Sequence, residues 1–167
     1  SHLLQQSHSE NSLSSIKAQY STLEDKWLRY ELDVINCLTY PAFIDMEVEA
    51  TRTFNSQRLS TKALLDNSTE NMPHEQYAHL INSMSDLTTA FNRAESYAKL
   101  KKHSLYTRDE QKKISQSLKF AKIAVNAAAS ESEKLLASKR MLKLIDGLVQ
   151  LPDKPLKQIE RIKQIAK

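Results

Sequence analysis

The sequence predicts an all-α fold, an antiparallel helical bundle of about five helices with long coiled-coil-like segments, and three observations carry that prediction. The chain of 167 residues contains one glycine and four prolines, too few for the tight turns of a sheet protein and suited to long helices. Leu13, Ile16, Tyr20, Leu23, Trp27, Tyr30, Val34 and Cys37 follow one another at alternating spacings of 3 and 4, a sustained heptad stripe. Tyr77, Leu80, Met84, Leu87, Phe91, Ala94 and Ala98 repeat the pattern.

Residues 1–12 precede the first stripe and read as a disordered or tag-derived tail, which leaves 13–167 as a single helical bundle domain, a size sufficient for one substantial core. The opening Ser1-His2 carries no methionine and reads as the scar of a cleaved tag, so a native signal or membrane anchor further upstream is compatible with the chain. No apolar run reaches the length of about 18 residues that spans a bilayer, so these residues are expected to be soluble, in a compartment the sequence does not specify.

The first helix is expected to run along its stripe for roughly 40 Å and to end at Tyr40-Pro41, because the residue before proline is pushed out of the helical region and Pro41 has no amide donor. A second helix over 46–65 has a weaker stripe, Val48, Thr51, Phe54, Leu59, Ala63 and Leu64, and stops at the polar turn formers "DNSTENMP". Pro73 suits the first position of the third helix. Thr107 and Glu110 form a capping box that starts a fourth helix, with Ile114, Leu118, Ala121, Val125 and Ala128 on its stripe.

Ser130 and Glu133 match a second capping box, so the chain either restarts there or runs through. The fifth helix carries Leu135, Leu142, Ile145 and Val149 on one stripe and Met141, Leu144, Leu148 and Leu151 on another, a face wide enough for a bundle interior. Gly147 has two readings: a left-handed residue that ends this helix, or an interior gap where another helix approaches. Pro152 and Pro155 close the segment, and Leu156, Ile159 and Ile162 mark a short basic terminal helix.

Chemistry-bearing motifs are few. A single glycine excludes phosphate cradles built on glycine-rich loops. His74 and His79 in "HEQYAH" are five residues apart, whereas a zinc helix needs four. None of the five histidines has the Glu-x-x-His spacing of a di-iron bundle, and no serine sits in a nucleophile elbow. Cys37, the sole cysteine, lies on the stripe and reads as a small buried hydrophobe, not a nucleophile. The chain is therefore expected to be no enzyme, with no catalytic residue, metal or cofactor and no small-molecule substrate. "NST" at 67–69 matches a glycosylation acceptor only by a pattern common by chance. Trp27 and Tyr30 lie on the stripe and Glu24, Asp25, Glu31 and Asp33 off it, which reads as core plus solvated face. Trp27, Tyr30, Pro41, Phe91, Gly147 and Pro152 are the expected structural positions.

Charge is unevenly placed. Residues 1–50 hold eight acids against three Lys or Arg, and the rest twelve acids against twenty-one. Two basic segments, 99–113 and 154–167, offer a surface for phosphates. Lys99, Lys101, Lys102, Arg108, Lys112 and Lys113 are its candidate residues.

"KWLRYELD", "LTYPAFID", "TAFNRAESYAKL" and "KRMLKLIDGLVQLP" resemble a family of bacterial helical proteins from actinobacteria that has no assigned activity. The resemblance rests on Trp27, Tyr30, Asp33, Pro41, Asp45, Phe91, Ala94, Glu95, Asp146, Gly147 and Pro152. It implies a helical domain, following a membrane anchor in some members, and transfers no catalytic role.

The expected function is a non-catalytic interaction or structural module, with the acidic face of the first helix or a wet part of its stripe docking a protein partner or a second copy of the chain. The alternative is binding of nucleic acid or an anionic membrane surface through the two basic segments.

Overall fold

In the computed structural model, residues 2–165 are described, with side chains described over 13–162. Among them the chain forms seven α-helices and one 3₁₀ turn, with no strand: α1 (His2–Leu32), α2 (Val34–Thr39), the 3₁₀ turn (Pro41–Ile44), α3 (Glu49–Asp66), α4 (His74–Lys101), α5 (Arg108–Ala124), α6 (Glu131–Ile145) and α7 (Asp153–Ile165). The all-α class stands; the helix count is seven where about five were expected. The expected tail, residues 1–12, falls on side chains outside the described residues, and the helical backbone of α1 begins at His2.

The extra helix arises at Asp33, inside the first heptad stripe. Asp33 adopts an extended conformation (φ −105°, ψ 114°) and its carboxylate accepts from the Ile35 amide, the local side-chain bond by which aspartate competes with a continuing helix. Ending a helix leaves its last carbonyls without partners. Two side chains one turn later fill the gap: Asn36 Nδ2 donates to the Arg29 carbonyl at 2.9 Å and Cys37 Sγ donates to the Tyr30 carbonyl at 3.1 Å. Cys37 is thus fully buried, as expected, and also serves as a hydrogen-bond donor.

All eight stripe positions are buried, but the break divides them between two cores. Those from Leu13 to Tyr30 join α3, α4 and the 3₁₀ turn, whereas Val34 and Cys37 join α5, α6 and α7. Aromatic rings hold the first core together: Phe54 lies 5.4 Å from Trp27, 5.5 Å from Phe43 and 5.7 Å from Phe91, all in tilted or edge geometry. Between α3 and α4 a polar seam is satisfied within itself, with the Thr61 and Ser83 hydroxyls 2.8 Å apart and Gln57 Nε2 donating to the Ser83 carbonyl at 3.2 Å. Ile44 packs against both cores, and His103 Nε2 meets the Leu38 carbonyl at 2.7 Å, so the end of α4 is tied to α2.

Several stripes differ from expectation. On α3 the inward positions are Thr51, Phe54, Thr61 and Leu65, while Leu59 is 71% exposed and Ala63 exposed. Arg58 completes the heptad spacing on that face, and its charge is what hides the pattern from an apolar count. On α5 the buried residues are Ile114, Ser117, Ala121 and Ala124, and Val125 lies beyond the helix end, exposed. The capping box at Thr107 and Glu110 forms as expected. The chain does restart at Ser130, whose hydroxyl accepts from the Glu133 amide, after an Asn126 side chain has captured the Ala128 amide.

Gly147 ends the ambiguity between its two readings. α6 stops at Ile145, Asp146 has φ −57° and ψ 126°, Gly147 has φ 76°, and the Leu148 amide donates to the Ile145 carbonyl at 2.8 Å. That is a type II turn, whose third position requires positive φ. A Cβ there would meet nothing within 4 Å, so conformation and not space selects glycine. The opposite case is Lys102, with φ 47° and ψ −110° and a bond from the Ser104 amide to the Lys101 carbonyl at 2.8 Å. It occupies the second position of a type II′ turn, where glycine is favoured.

Gly147→Ala should lower stability by about 1 kcal/mol and Lys102→Gly should raise it by about the same amount, both read from urea midpoints; changes of the same sign would contradict the backbone assignment. Burial, with the charges of Asp33 and Glu31, pushes the Cys37 thiol up to about 12. A folded-state value raised above the unfolded value of about 8.5 stabilises fully below that pH and is lost as pH rises toward the folded value. Unfolding free energy should therefore fall by about 2 kcal/mol between pH 7 and 10, and Cys37→Ser should flatten this slope; an unchanged slope in the variant would remove the thiol as its cause.

Candidate functional site

The two cores do not close on each other completely. Between them lies an open cleft of about 1020 Å³. One wall is Pro41 with residues 43–47, joined by Glu31 of α1 and Asn55 and Arg58 of α3; the other is Leu142 with residues 145–153, then Leu156 of α7. Tyr106, in the turn between α4 and α5, also lines it.

Each wall is fixed by local chemistry. Thr51 Oγ1 donates to the Ala42 carbonyl at 2.6 Å, clamping the 3₁₀ turn onto α3. Arg52 donates to the Met46 and Glu47 carbonyls at 3.0 Å each, and the Asp45 carboxylate accepts from the Glu47 amide at 2.9 Å. These bonds shape a tight polar exit that presents Met46, 53% exposed. On the opposite wall the turn at Asp146-Gly147 swings the chain so that Val149 and Leu151 face the second core. Tyr106 Oη donates to the Leu148 carbonyl at 3.4 Å.

Arg58 is the most heavily engaged group. Its Nη1 lies 2.6 Å from Glu31 Oε1, and its guanidinium stacks 5.7 Å from the Trp27 ring and 5.3 Å from the Phe54 ring. Burial raises the Glu31 carboxyl above its ordinary value in spite of the Arg58 charge. Burial, then the charges of Asp45 and Glu110, pushes the Tyr106 phenol up to about 12, so it stays a neutral donor at physiological pH. Five carboxylates line the cleft, from Glu31, Asp45, Glu47, Asp146 and Asp153, against one guanidinium that Glu31 already compensates. Beneath them the floor is apolar, with Phe43, Ile44, Leu142, Ile145, Val149 and Leu151.

The residues singled out in the sequence fall in three places. Trp27, Tyr30 and Phe91 belong to the first core, with Tyr30 Oη donating to Glu95 Oε2 at 2.7 Å. Pro41, Gly147 and Pro152 come together as cleft lining, so the chain breakers also delimit the cavity. Lys99, Lys101, Lys102, Arg108, Lys112 and Lys113 flank the turn between α4 and α5. There Lys99 approaches Glu95 at 3.9 Å and Lys101 sits 5.7 Å from the Tyr97 ring. Of the second basic segment, Lys154, Lys157 and Arg161 are exposed on α7, and residues 163–167 have side chains outside the described set. His74 and His79 are exposed on α4. Among the described residues no three His, Cys, Asp or Glu side chains gather as a metal would need, and no helix is long and apolar enough to cross a membrane.

Arg58 and Tyr106 were missed by sequence reading. The available signal for Arg58 was its spacing, four residues after Phe54 and three before Thr61; for Tyr106 there was none. Compared with protein families, with curated proteins and with solved structures, the chain matches none. The geometry alone therefore carries the functional reading.

The Glu31–Arg58 pair yields an asymmetric prediction. Arg58→Ala should cost about 2 kcal/mol, because it strips two ring contacts and strands a half-buried carboxylate, whereas Glu31→Gln should cost under about 1 kcal/mol, since it removes a charge that burial already disfavours. Urea unfolding of the two variants tests this, and equal losses would contradict it.

Proposed function

We propose that the protein is a non-catalytic interaction module whose cleft receives a basic, apolar segment of a protein partner. The observation that carries this reading is the pairing of an acidic rim with an apolar floor in one open cavity of about 1020 Å³. That volume is at the upper end for small-molecule pockets, roughly 300–1,000 Å³, and suits a peptide segment. Leucine-like anchors would displace water from the floor, which supplies affinity, while lysines or arginines meet the rim carboxylates, which speeds encounter and fixes orientation. An amphipathic helix laid in a groove is the recognition mode that combines both demands. Of the acids on the first helix, Glu31 lines this cleft, whereas the stripe from Leu13 to Cys37 is buried and offers no wet docking surface. Membership of the helical family that the sequence resembles is part of the same proposal and adds no chemistry to it.

The test is fluorescence anisotropy with a labelled helical peptide of leucines and lysines at heptad spacing, beside one with glutamates in place of the lysines. The lysine peptide should bind, and the double variant Glu47→Lys with Asp146→Lys should weaken it at least roughly tenfold, about 1.4 kcal/mol. Equal binding of the acidic peptide, or an unaffected double variant, would overturn the reading.

A further inference from the structure

The turn between α4 and α5 carries a combination that neither core accounts for. Leu100 is 78% exposed and Leu105 47% exposed, on either side of a turn whose flanks hold Lys99, Lys101, Lys102, Arg108, Lys112 and Lys113. Leu100 is off the inward stripe of α4, which ends at Ala94 and Ala98. Leu105 lies among turn residues, where a polar side chain would meet the solvent at no cost. Two acids in this stretch, Asp109 and Glu110, stand against six cations, one of which, Lys99, also approaches Glu95 at 3.9 Å.

The turn is also held firmly. The Ser104 amide donates to the Lys101 carbonyl at 2.8 Å and the Tyr106 amide to the His103 carbonyl at 3.0 Å. Gln111 Nε2 donates to the Tyr106 carbonyl at 2.9 Å, and the His103 ring is fastened to α2 at Leu38. Lys102 sits at the corner with φ 47°, a conformation that glycine would adopt with less strain. Lys102 is exposed there, so its charge faces the solvent from a turn held by these bonds.

We propose that this turn is a docking tip for anionic lipid bilayers, with Leu100 and Leu105 entering the acyl boundary and the six cations bound to headgroup phosphates and carboxylates. Basic residues alone would serve a nucleic acid equally well. The leucine pair decides between the two, because a bilayer provides an apolar layer beside its anionic surface and a phosphate backbone does not. Neither Leu100, Leu105 nor any of the six cations lines the cleft, although Tyr106 of the same turn does.

Co-sedimentation of the whole chain with vesicles tests the proposal, using phosphatidylcholine alone and phosphatidylcholine mixed with phosphatidylserine, at low and physiological salt. The chain should pellet with the mixed vesicles only. Leu100→Ser with Leu105→Ser should lose roughly tenfold in binding although every cation remains, and Lys102→Glu with Lys112→Glu should lose at least as much. Unchanged circular dichroism melting would show that both double variants fold. Absence of binding to mixed vesicles would overturn the proposal, as would full binding by the leucine variant. Tighter binding of duplex DNA, insensitive to the leucine changes, would reassign the surface to nucleic acid.

Discussion

The rest of the structure depends on the interruption of one heptad stripe at Asp33. An unbroken helix through Cys37 would send its whole apolar edge into a single packing partner. Asp33 instead captures the Ile35 amide, and the carbonyls left behind on Arg29 and Tyr30 are satisfied by Asn36 and Cys37. A break inside a buried stripe is tolerable only when such orphaned groups find partners. The result is a short helix that belongs by sequence to α1 and by packing to the second core.

That redistribution creates the space in which the candidate site lies. Pro41 and the 3₁₀ turn return the chain to the first core, and the Asp146-Gly147 turn with Pro152 redirects it at the end of α6 while keeping it on the second core. The cleft is bounded by these two changes of direction. Its floor is apolar because it is the edge of two cores, and its rim is acidic because aspartates serve the turns that shape it: Asp45 holds the Glu47 amide and Asp146 occupies the second position of the type II turn. Turn chemistry and surface charge thus share the same residues. Arg58 sits where the first core meets this rim, neutralising Glu31 while covering Trp27 and Phe54.

Much of the fold was legible because heptad spacing reports burial directly. Leu13 to Tyr30 and Leu80 to Ala98 are buried as their spacing requires, and the Thr107–Glu110 box starts α5 as its residues require. Legibility failed where polar residues do apolar work. Thr61 and Ser83 satisfy each other inside the seam between α3 and α4, and Arg58 buries its stem among rings, so an apolar count put Leu59 inside when it is exposed. Asp33 was read as part of a solvated face because nothing in its spacing distinguishes an exposed acid from an acid that caps a break. The cleft itself combines residues from α1, α3, α6, α7 and three connections. Only Pro41, Gly147 and Pro152 announced it, as breakers and without any hint that they meet.

One interrupted stripe binds two cores into a single cooperative unit. The chain supplies its own probes, for Trp27 is the only tryptophan and lies in the first core, and Cys37 is the only cysteine and lies in the second. The most direct measurement follows urea unfolding by Trp27 emission and by pulsed alkylation of Cys37 on the same samples. Coincident midpoints and slopes are the expected result, since α2 and Ile44 join the cores. Exposure of Cys37 at a distinctly lower urea concentration than the Trp27 transition would show two cores that unfold apart, and would contradict the account.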